Sequence, residues 1–237
     1  MEKWYNIAGL VVKMDTRDRV EHLSIPYEIS PMDKADVEIY PDREAVRKKA
    51  PNLAEIYVEA FATYTVFFSE LTKFDGLLMH SSAIISDGKA YLFTANSGTG
   101  KSTHTMLWRK VFGDERVRIL NDDKPAVRLE DGVWYAYGTP WSGKSDLNLN
   151  LKVPLGGICL LRRGEENSIR RLAGREAVTE LFRQTARPKT PEVRVKTLEL
   201  LDKLLAEVPM WEMHCNMKRE AAIMSYEAMS GKKWEGK

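Results

Sequence analysis

Hydrophobic and polar residues alternate with two different periods along the chain, and the changes of period mark its predicted elements. Apolar runs at Ile7 to Met14 and Val37 to Tyr40 are short and strand-like, and turn residues separate them. From Asn52 to about Phe74, apolar residues recur every three to four positions, which predicts a helix with one inward-facing side. We therefore expect residues 1–75 to form a small β-rich lead-in plus one helix, packed on the remainder.

A β-hairpin is predicted next. Asp87-Gly88 is a strong signal for a two-residue turn and lies between two apolar runs, Leu78 to Ile85 and Ala90 to Thr94. Counting outward from this turn sets Ser86 against Lys89 and, further along, His80 against Ala95. The predicted register therefore brings His80 to the mouth of the loop that follows the hairpin.

Strand-like and helix-like runs are mixed through the rest of the chain. The strand-like runs are Arg116 to Asn121, Ala126 to Leu129, Val133 to Tyr137, Gly157 to Leu161, Ser168 to Leu172 and Pro209 to Cys215. The helix-like runs are Glu176 to Ala186, Val193 to Ala206 and Lys218 to Met229. The predicted fold class is α/β with a mixed β-sheet, and we expect residues 76–237 to form its catalytic core.

The amino-acid composition argues against some classes of function. The 36 basic and 34 acidic residues leave a formal net charge of +2, which gives no electrostatic surplus for binding nucleic acid or an anionic membrane. Only two cysteines occur, without metal-site spacing, and no apolar run reaches membrane length. We expect a cytoplasmic protein.

A phosphate-binding loop is the most informative motif. The segment Ala95-Asn96-Ser97-Gly98-Thr99-Gly100-Lys101-Ser102 follows an apolar strand and precedes a helix-compatible stretch. Its glycines free the backbone to turn successive N–H groups toward phosphate oxygens, and the helix adds its positive N-terminal end. The predicted nucleotide contacts are Asn96, Ser97, Gly98, Thr99, Gly100, Lys101, Ser102 and Thr103. Ala95 stands where this motif has its first glycine, a difference of one methyl group that we expect the loop to tolerate.

Asp122 and Asp123 follow a predicted strand directly, where P-loop enzymes carry the carboxylate that holds Mg²⁺. One carboxylate can ligate the metal together with the Ser102 hydroxyl, while the other accepts the proton of an incoming hydroxyl. The alternative is that the pair caps a turn before Pro125. His80 is a further catalytic candidate because of its predicted register, although a solitary histidine is also a common core residue.

The loop from Gly138 to Lys144 combines turn residues, an aromatic side chain and a cation. Thr139, Trp141 and Lys144 could bind an acceptor or a phosphate group there. An ordinary loop with Trp141 in the core fits the sequence equally well.

These motifs together resemble the catalytic domain of bacterial HPr kinase/phosphorylase and its relatives, which are structurally akin to phosphoenolpyruvate carboxykinase. The resemblance rests on His80-Ser81-Ser82, the hairpin, the phosphate loop and Asn121-Asp122-Asp123, in that order. It implies that His80 lies by the phosphates, that Asp122 is the base and that Asp123 lies nearer Mg²⁺, with an exchange of the last two roles left open. Homo-oligomers also occur in that group.

The sequence departs from that family at two places. Residues 1–75 are too short for the usual N-terminal domain of HPr kinase, and the family's Glu-Val-Arg-Gly-Leu-Gly signature does not follow the aspartates. We therefore expect a divergent kinase that uses Mg-ATP to phosphorylate a hydroxyl on another protein, a peptide or a small molecule. Two alternatives remain open: an ATP-binding sensor or assembly module without transfer activity, and a carboxykinase-like enzyme acting on an organic acid.

Overall fold

The computed structural model describes residues 2–186 and 190–236. Its strands are β1 (Glu2–Ile7), β2 (Leu10–Asp15), β3 (Glu28–Ile29), β4 (Val37–Ile39), β5 (Gly76–Leu78), β6 (Ser81–Ser86), β7 (Lys89–Thr94), β8 (Val117–Asn121), β9 (Ala126–Glu130), β10 (Val133–Tyr137), β11 (Lys152–Arg163), β12 (Ser168–Arg171) and β13 (Met210–Cys215). Its α-helices are α1 (Asp18–Ser24), α2 (Arg43–Lys49), α3 (Glu55–Leu71), α4 (Lys101–Phe112), α5 (Gly174–Gln184), α6 (Pro191–Glu207) and α7 (Arg219–Ser230). None of the helices within these two ranges is long and apolar enough to cross a membrane.

The N-terminal part forms a four-stranded sheet in the order β3-β1-β2-β4. The single strand predicted from Ile7 to Met14 is wrong, because Ala8 and Gly9 adopt φ values of 54° and 75° and form the turn between β1 and β2. Left-handed backbone of this kind closes a two-residue hairpin. The short helix α1 was also not predicted, since it is seven residues long and has no side-chain cap at its N-terminus.

A nine-stranded mixed sheet forms the larger part of the molecule. The strand order along its main path is β5-β9-β10-β11-β7-β6-β8. In addition, β13 pairs with β11, and β12 pairs with β13. The strand β11 is long enough to pair antiparallel with β10 near its start and parallel with β7 and β13 further along, across a bulge between Leu155 and Gly157. The sheet therefore curls around β11, and the class is mixed α/β.

The hairpin before the phosphate loop joins β6 to β7. Ser86 lies opposite Lys89 and Ser81 lies opposite Thr94. The predicted strand from Leu78 to Ile85 is in fact two strands, β5 and β6, with Met79 and His80 between them. The backbone N–H of His80 leaves the ladder and donates to the Gln184 carbonyl at 2.6 Å. Because the ladder is broken here, His80 does not follow the alternation of side chains between the two faces of the sheet.

Alternation along the central strands builds two hydrophobic layers, one on each face of the sheet. Phe93 and Tyr91 of β7 face a layer with α4 and α7, centred on the fully buried Trp108. Ala90 and Leu92 of the same strand face a layer that includes α5, α6, the N-terminal sheet and α3. The N-terminal sheet therefore shares a core with the larger sheet.

The helix α3 connects these two sheets. It begins at Glu55 rather than Asn52, and the turn after Leu71 is a 3-10 helix up to Phe74. Its buried Glu59 accepts hydrogen bonds from Arg43 Nη2 at 3.0 Å and from the Arg17 backbone N–H at 3.2 Å. Arg43 also donates to the Asp15 carbonyl at 3.1 Å. This ion pair fixes α3 to β2 and α2.

Replacing Arg43 by alanine should destabilise the fold, because the carboxylate of Glu59 would stay buried without its partner. Loss of one partner of a buried pair typically costs about 3 kcal/mol of unfolding free energy. The matched control is Arg47→Ala, since the Arg47 and Glu55 side chains that pair are 46% and 70% exposed. An exposed pair of this kind contributes about 0–1 kcal/mol. Urea unfolding of both variants measures the difference, and equal midpoints would contradict this account of Glu59.

Candidate functional site

The phosphate loop lies between the end of β7 at Thr94 and the start of α4 at Lys101. Gly98 and Gly100 adopt φ values of 78° and 119°, a region that other residues enter only with strain. A Cβ placed on Gly98 would meet no atom within 4 Å. The loop leads into the N-terminus of α4, where backbone N–H groups and the helix dipole favour an anion.

Lys101 is buried at the base of this loop, where its Nζ donates to the Ala95 carbonyl at 3.1 Å. Burial lowers the pKa of Lys101, and the nearby carboxylate of Asp123 acts in the opposite direction. The loss of solvation strengthens any interaction of this ammonium group with a phosphate.

The side chain of Asn121 shapes the turn that carries the two aspartates. Its Oδ1 accepts hydrogen bonds from the backbone N–H groups of Asp123 and Lys124 at 2.9 and 2.7 Å. Its Nδ2 donates to the Thr139 carbonyl at 2.8 Å. Because Asn121 is fully buried at the end of β8, this amide fixes the direction in which both carboxylates leave the sheet.

Asp122 faces the hydroxyl groups next to α4. Its Oδ1 accepts a hydrogen bond from Ser82 Oγ at 2.5 Å, and Ser82 Oγ lies 2.8 Å from Thr105 Oγ1. Thr105 Oγ1 also lies 3.1 Å from the carbonyl oxygen of Ser102, so its single proton can be donated to that carbonyl or to Ser82. A short hydroxyl network thus links Asp122 to the first turn of α4, which carries Ser102.

Asp123 faces a different set of groups. Its Oδ1 lies 3.4 Å from His80 Nε2, and its Oδ2 accepts from Lys124 Nζ at 2.9 Å. The other ring nitrogen of His80 lies 3.1 Å from Gln184 Oε1. Burial, with a contribution from the positive charges of Lys124 and Lys101, lowers the pKa of His80 to about 4. His80 is therefore neutral at pH 7 and carries one ring proton. Its N–H can donate a hydrogen bond to either Gln184 or Asp123.

These groups line a single cleft of about 730 Å³. On one side it is bounded by the phosphate loop from Ser97 to Thr103, by His80 and by residues 122–124. The opposite sides consist of the loop from residue 140 to 145 and of side chains from α1 and α3. The predicted contacts Asn96 and Thr99 lie outside the lining; Asn96 accepts a hydrogen bond from Gln184 Nε2 at 3.3 Å.

The loop after β10 differs in part from its prediction. Thr139 does not reach the cleft, because it is fully buried and its hydroxyl donates to the Lys124 carbonyl at 2.7 Å. Trp141 lines the cleft, but it also belongs to the core, where its indole N–H donates to Thr63 Oγ1 at 2.9 Å. Lys144 is exposed at the rim. Gly143, with φ of 67°, lies so close to Asp123 that a Cβ there would come within 2.8 Å of the aspartate Cβ.

Several residues of the cleft were not predicted from the sequence. Lys124 was identifiable in principle, because it follows the aspartates directly. Gln184, which contacts His80 from outside the lining, lies in a helix 104 residues later, and α1 and α3 belong to the segment that the sequence predicts as a lead-in. No local pattern marks such residues, since only the tertiary fold brings them to the site.

No protein-family model and no curated protein sequence matches the chain. Among solved structures, the fold is similar to the HPr(Ser) kinase/phosphatase from Coxiella burnetii. The sequence identity is 9%, the alignment covers 65% of this chain and 99% of that chain, and the TM-score is 0.38. The function must therefore be judged from the site itself.

Substituting alanine for Gly98 should impair binding of a nucleoside triphosphate while leaving the fold intact. Holding a residue with a Cβ in left-handed backbone costs about 1–2 kcal/mol, so the loop is expected to relax and misdirect its N–H groups. We expect the affinity for ATP, measured by calorimetric titration, to fall about tenfold.

Gly88 provides the matched control for this substitution. Its φ is 76°, close to the 78° of Gly98, and a Cβ there also meets no atom within 4 Å. The variant Gly88→Ala should lose similar stability and keep the affinity of the parent protein. Equal losses of affinity in both variants would show that the loop itself is not the binding element.

Proposed function

We propose that this protein is a kinase that transfers the γ-phosphoryl group of ATP to a hydroxyl group of an acceptor. The proposal rests on one observation above all. Lys101, His80 and the two carboxylates of Asp122 and Asp123 line the same cleft as the phosphate loop. A cation for the phosphates and a base for the attacking hydroxyl are the components that phosphoryl transfer requires.

The donor groups near Asp122 fit a magnesium ion. Mg²⁺ in such sites is held by one or two carboxylates together with phosphate oxygens and water, rather than by a cage of protein ligands. Asp122 would supply the carboxylate and the hydroxyl of Ser102 a further oxygen, and a network through Ser82 and Thr105 connects Asp122 to the backbone carbonyl of Ser102. When bound, the ion would neutralise charge on the phosphates during transfer.

The two aspartates are best assigned in the order opposite to the one that the family resemblance implies. Asp122 is engaged with the hydroxyls beside α4, so it suits the metal together with Ser102. Asp123 faces His80 and the open cleft, so it suits the role of base. Lys124, 2.9 Å from Asp123 Oδ2, keeps that carboxylate in position and adds positive charge near the transferred group.

The reaction then follows from these positions. The acceptor oxygen forms a bond to the γ-phosphorus, the bond from phosphorus to the bridging oxygen of ATP breaks, and ADP leaves. The proton of the acceptor hydroxyl passes to the carboxylate of Asp123. Neutral His80, oriented by Gln184, supplies one hydrogen-bonding nitrogen next to this carboxylate. Lys101 balances charge on the β- and γ-phosphates.

The variant Lys101→Met tests the proposal directly. It removes the buried charge but keeps most of the side-chain volume, so circular dichroism should match that of the parent protein. Incubation with Mg²⁺, γ-labelled ATP and mixtures of serine peptides and small alcohols should label an acceptor only with the parent protein, since positioning and charge provide most of the rate. Equal labelling by both proteins would refute the kinase proposal, and ATP binding without any transfer would instead indicate a sensor.

Asparagine at each aspartate separates the two roles. Asp123→Asn should lower the transfer rate by about 10²–10⁴-fold at every magnesium concentration, which is the usual effect of losing a general base. Asp122→Asn should raise the Mg²⁺ concentration needed for half-maximal rate. Magnesium titrations of the initial rate measure both effects, and the reverse pattern would restore the assignment that the resemblance implies.

A further inference from the structure

A strip of apolar and aromatic side chains on α3 lines the cleft, although the helix belongs to the N-terminal segment. Helical neighbours three and four positions apart share a face. The strip comprises Ile56, Tyr57, Ala60, Phe61 and Tyr64, and we refer to it as the α3 wall. The opposite face of α3 is buried in the core through Val58, Glu59 and Ala62. The wall is thus held rigidly by a buried helix.

The α3 wall begins next to the carboxylate that would take the acceptor proton. Lys124, paired with Asp123, lies over the Tyr64 ring with Nζ 5.4 Å from its centroid. Tyr64 and Phe61 form an edge-to-face pair with centroids 5.2 Å apart. A continuous path of contacts therefore leads from Asp123 along Tyr64 to Phe61 at the outer part of the cleft.

The wall adjoins the end of the phosphate site at which transfer would occur. Lys101, which would meet the β- and γ-phosphates, lines the cleft together with Asp122 and Asp123. Tyr64 lies beside these groups, because Lys124, which is paired with Asp123, lies over its ring. A molecule bound against the α3 wall is therefore placed to meet the γ-phosphoryl group.

The length of the wall indicates the kind of acceptor. Eight positions along a helix, from Ile56 to Tyr64, span about 12 Å. An extended chain advances about 3.3 Å per residue, so the wall matches three to four residues of a peptide rather than a single small alcohol. Ile56 and Phe61 are 52% and 43% exposed, which leaves large apolar surfaces free to be covered.

We propose that the α3 wall is the specificity surface of the kinase and that the acceptor is a peptide segment. Its serine or threonine hydroxyl would face Asp123, and a large apolar or aromatic side chain within about three residues would cover Phe61 and Ile56. This inference rests on the proposed kinase function and adds the chemistry of the substrate to it. The reaction remains transfer of the γ-phosphoryl group to that hydroxyl, with ADP released and the proton taken by Asp123.

A degenerate peptide library with one central serine, incubated with γ-labelled Mg-ATP, tests this inference. The parent protein should select Phe, Leu, Ile or Met at a fixed distance from the serine. For a selected peptide, Phe61→Ala should raise KM about tenfold, the effect of losing a hydrophobic contact in a specificity pocket. Phe61→Leu should recover most of that loss. The affinity for an ATP analogue, titrated separately, should stay at the parent value in both variants.

Leu198→Ala is the matched control, because Leu198 is 43% exposed like Phe61 but lies on α6 outside the cleft. It should leave the peptide KM at the parent value. A fall in nucleotide affinity in Phe61→Ala would mean that the wall holds the base and would overturn the inference. Labelling of peptides without apolar preference, or of small alcohols alone, would overturn it while the kinase function stands. Absence of label on every acceptor would overturn both.

Discussion

The geometry of the site depends on the buried amide of Asn121. Its oxygen receives the N–H groups of Asp123 and Lys124, and its nitrogen binds the carbonyl of Thr139. One side chain thus satisfies three backbone groups that would otherwise be buried without partners. The two aspartates point in different directions because this turn holds their backbone, and the loop after β10 is drawn over Asp123 by the same amide.

The parts of the site that follow from local sequence could be predicted. Asp87-Gly88 sets the pairing of β6 with β7 because a two-residue turn leaves only one register. The glycine spacing at Gly98 and Gly100 indicates left-handed backbone, which the φ values of both residues have. In each case the information lies within a few neighbouring residues, so a single sequence is sufficient to read it.

Other parts depend on contacts between distant segments and could not be read. His80 is turned out of the sheet because its N–H bonds to Gln184, a partner from α5. The different surroundings of Asp122 and Asp123 come from Ser82, Thr105 and Lys124, of which only Lys124 is adjacent in sequence. The sequence allows Trp141 to be a core residue or a binding residue. In the structure it lies at the boundary, where it contacts the core and also lines the cleft.

The N-terminal segment was interpreted as a lead-in because its strands are short and its helix has an ordinary amphipathic pattern. The pattern does not distinguish a helix face that packs on a neighbour from one that lines a cleft, since both are apolar. In α3 the two kinds of surface occur together. The C-terminal turns pack beside Trp141, with Phe67 and Trp141 ring centroids 5.0 Å apart, and Ile56 and Phe61 in the first two turns remain largely exposed.

This division of α3 has a consequence for how the protein could change over evolutionary time. Mutations at Ile56 and Phe61 alter largely exposed side chains, so they carry a small cost in folding free energy. The inward positions and the Arg43–Glu59 pair hold the helix in place independently of that surface. Preference for a new partner could therefore arise by drift at a few sites on one helix, while the transfer chemistry at the far end of the cleft is left untouched.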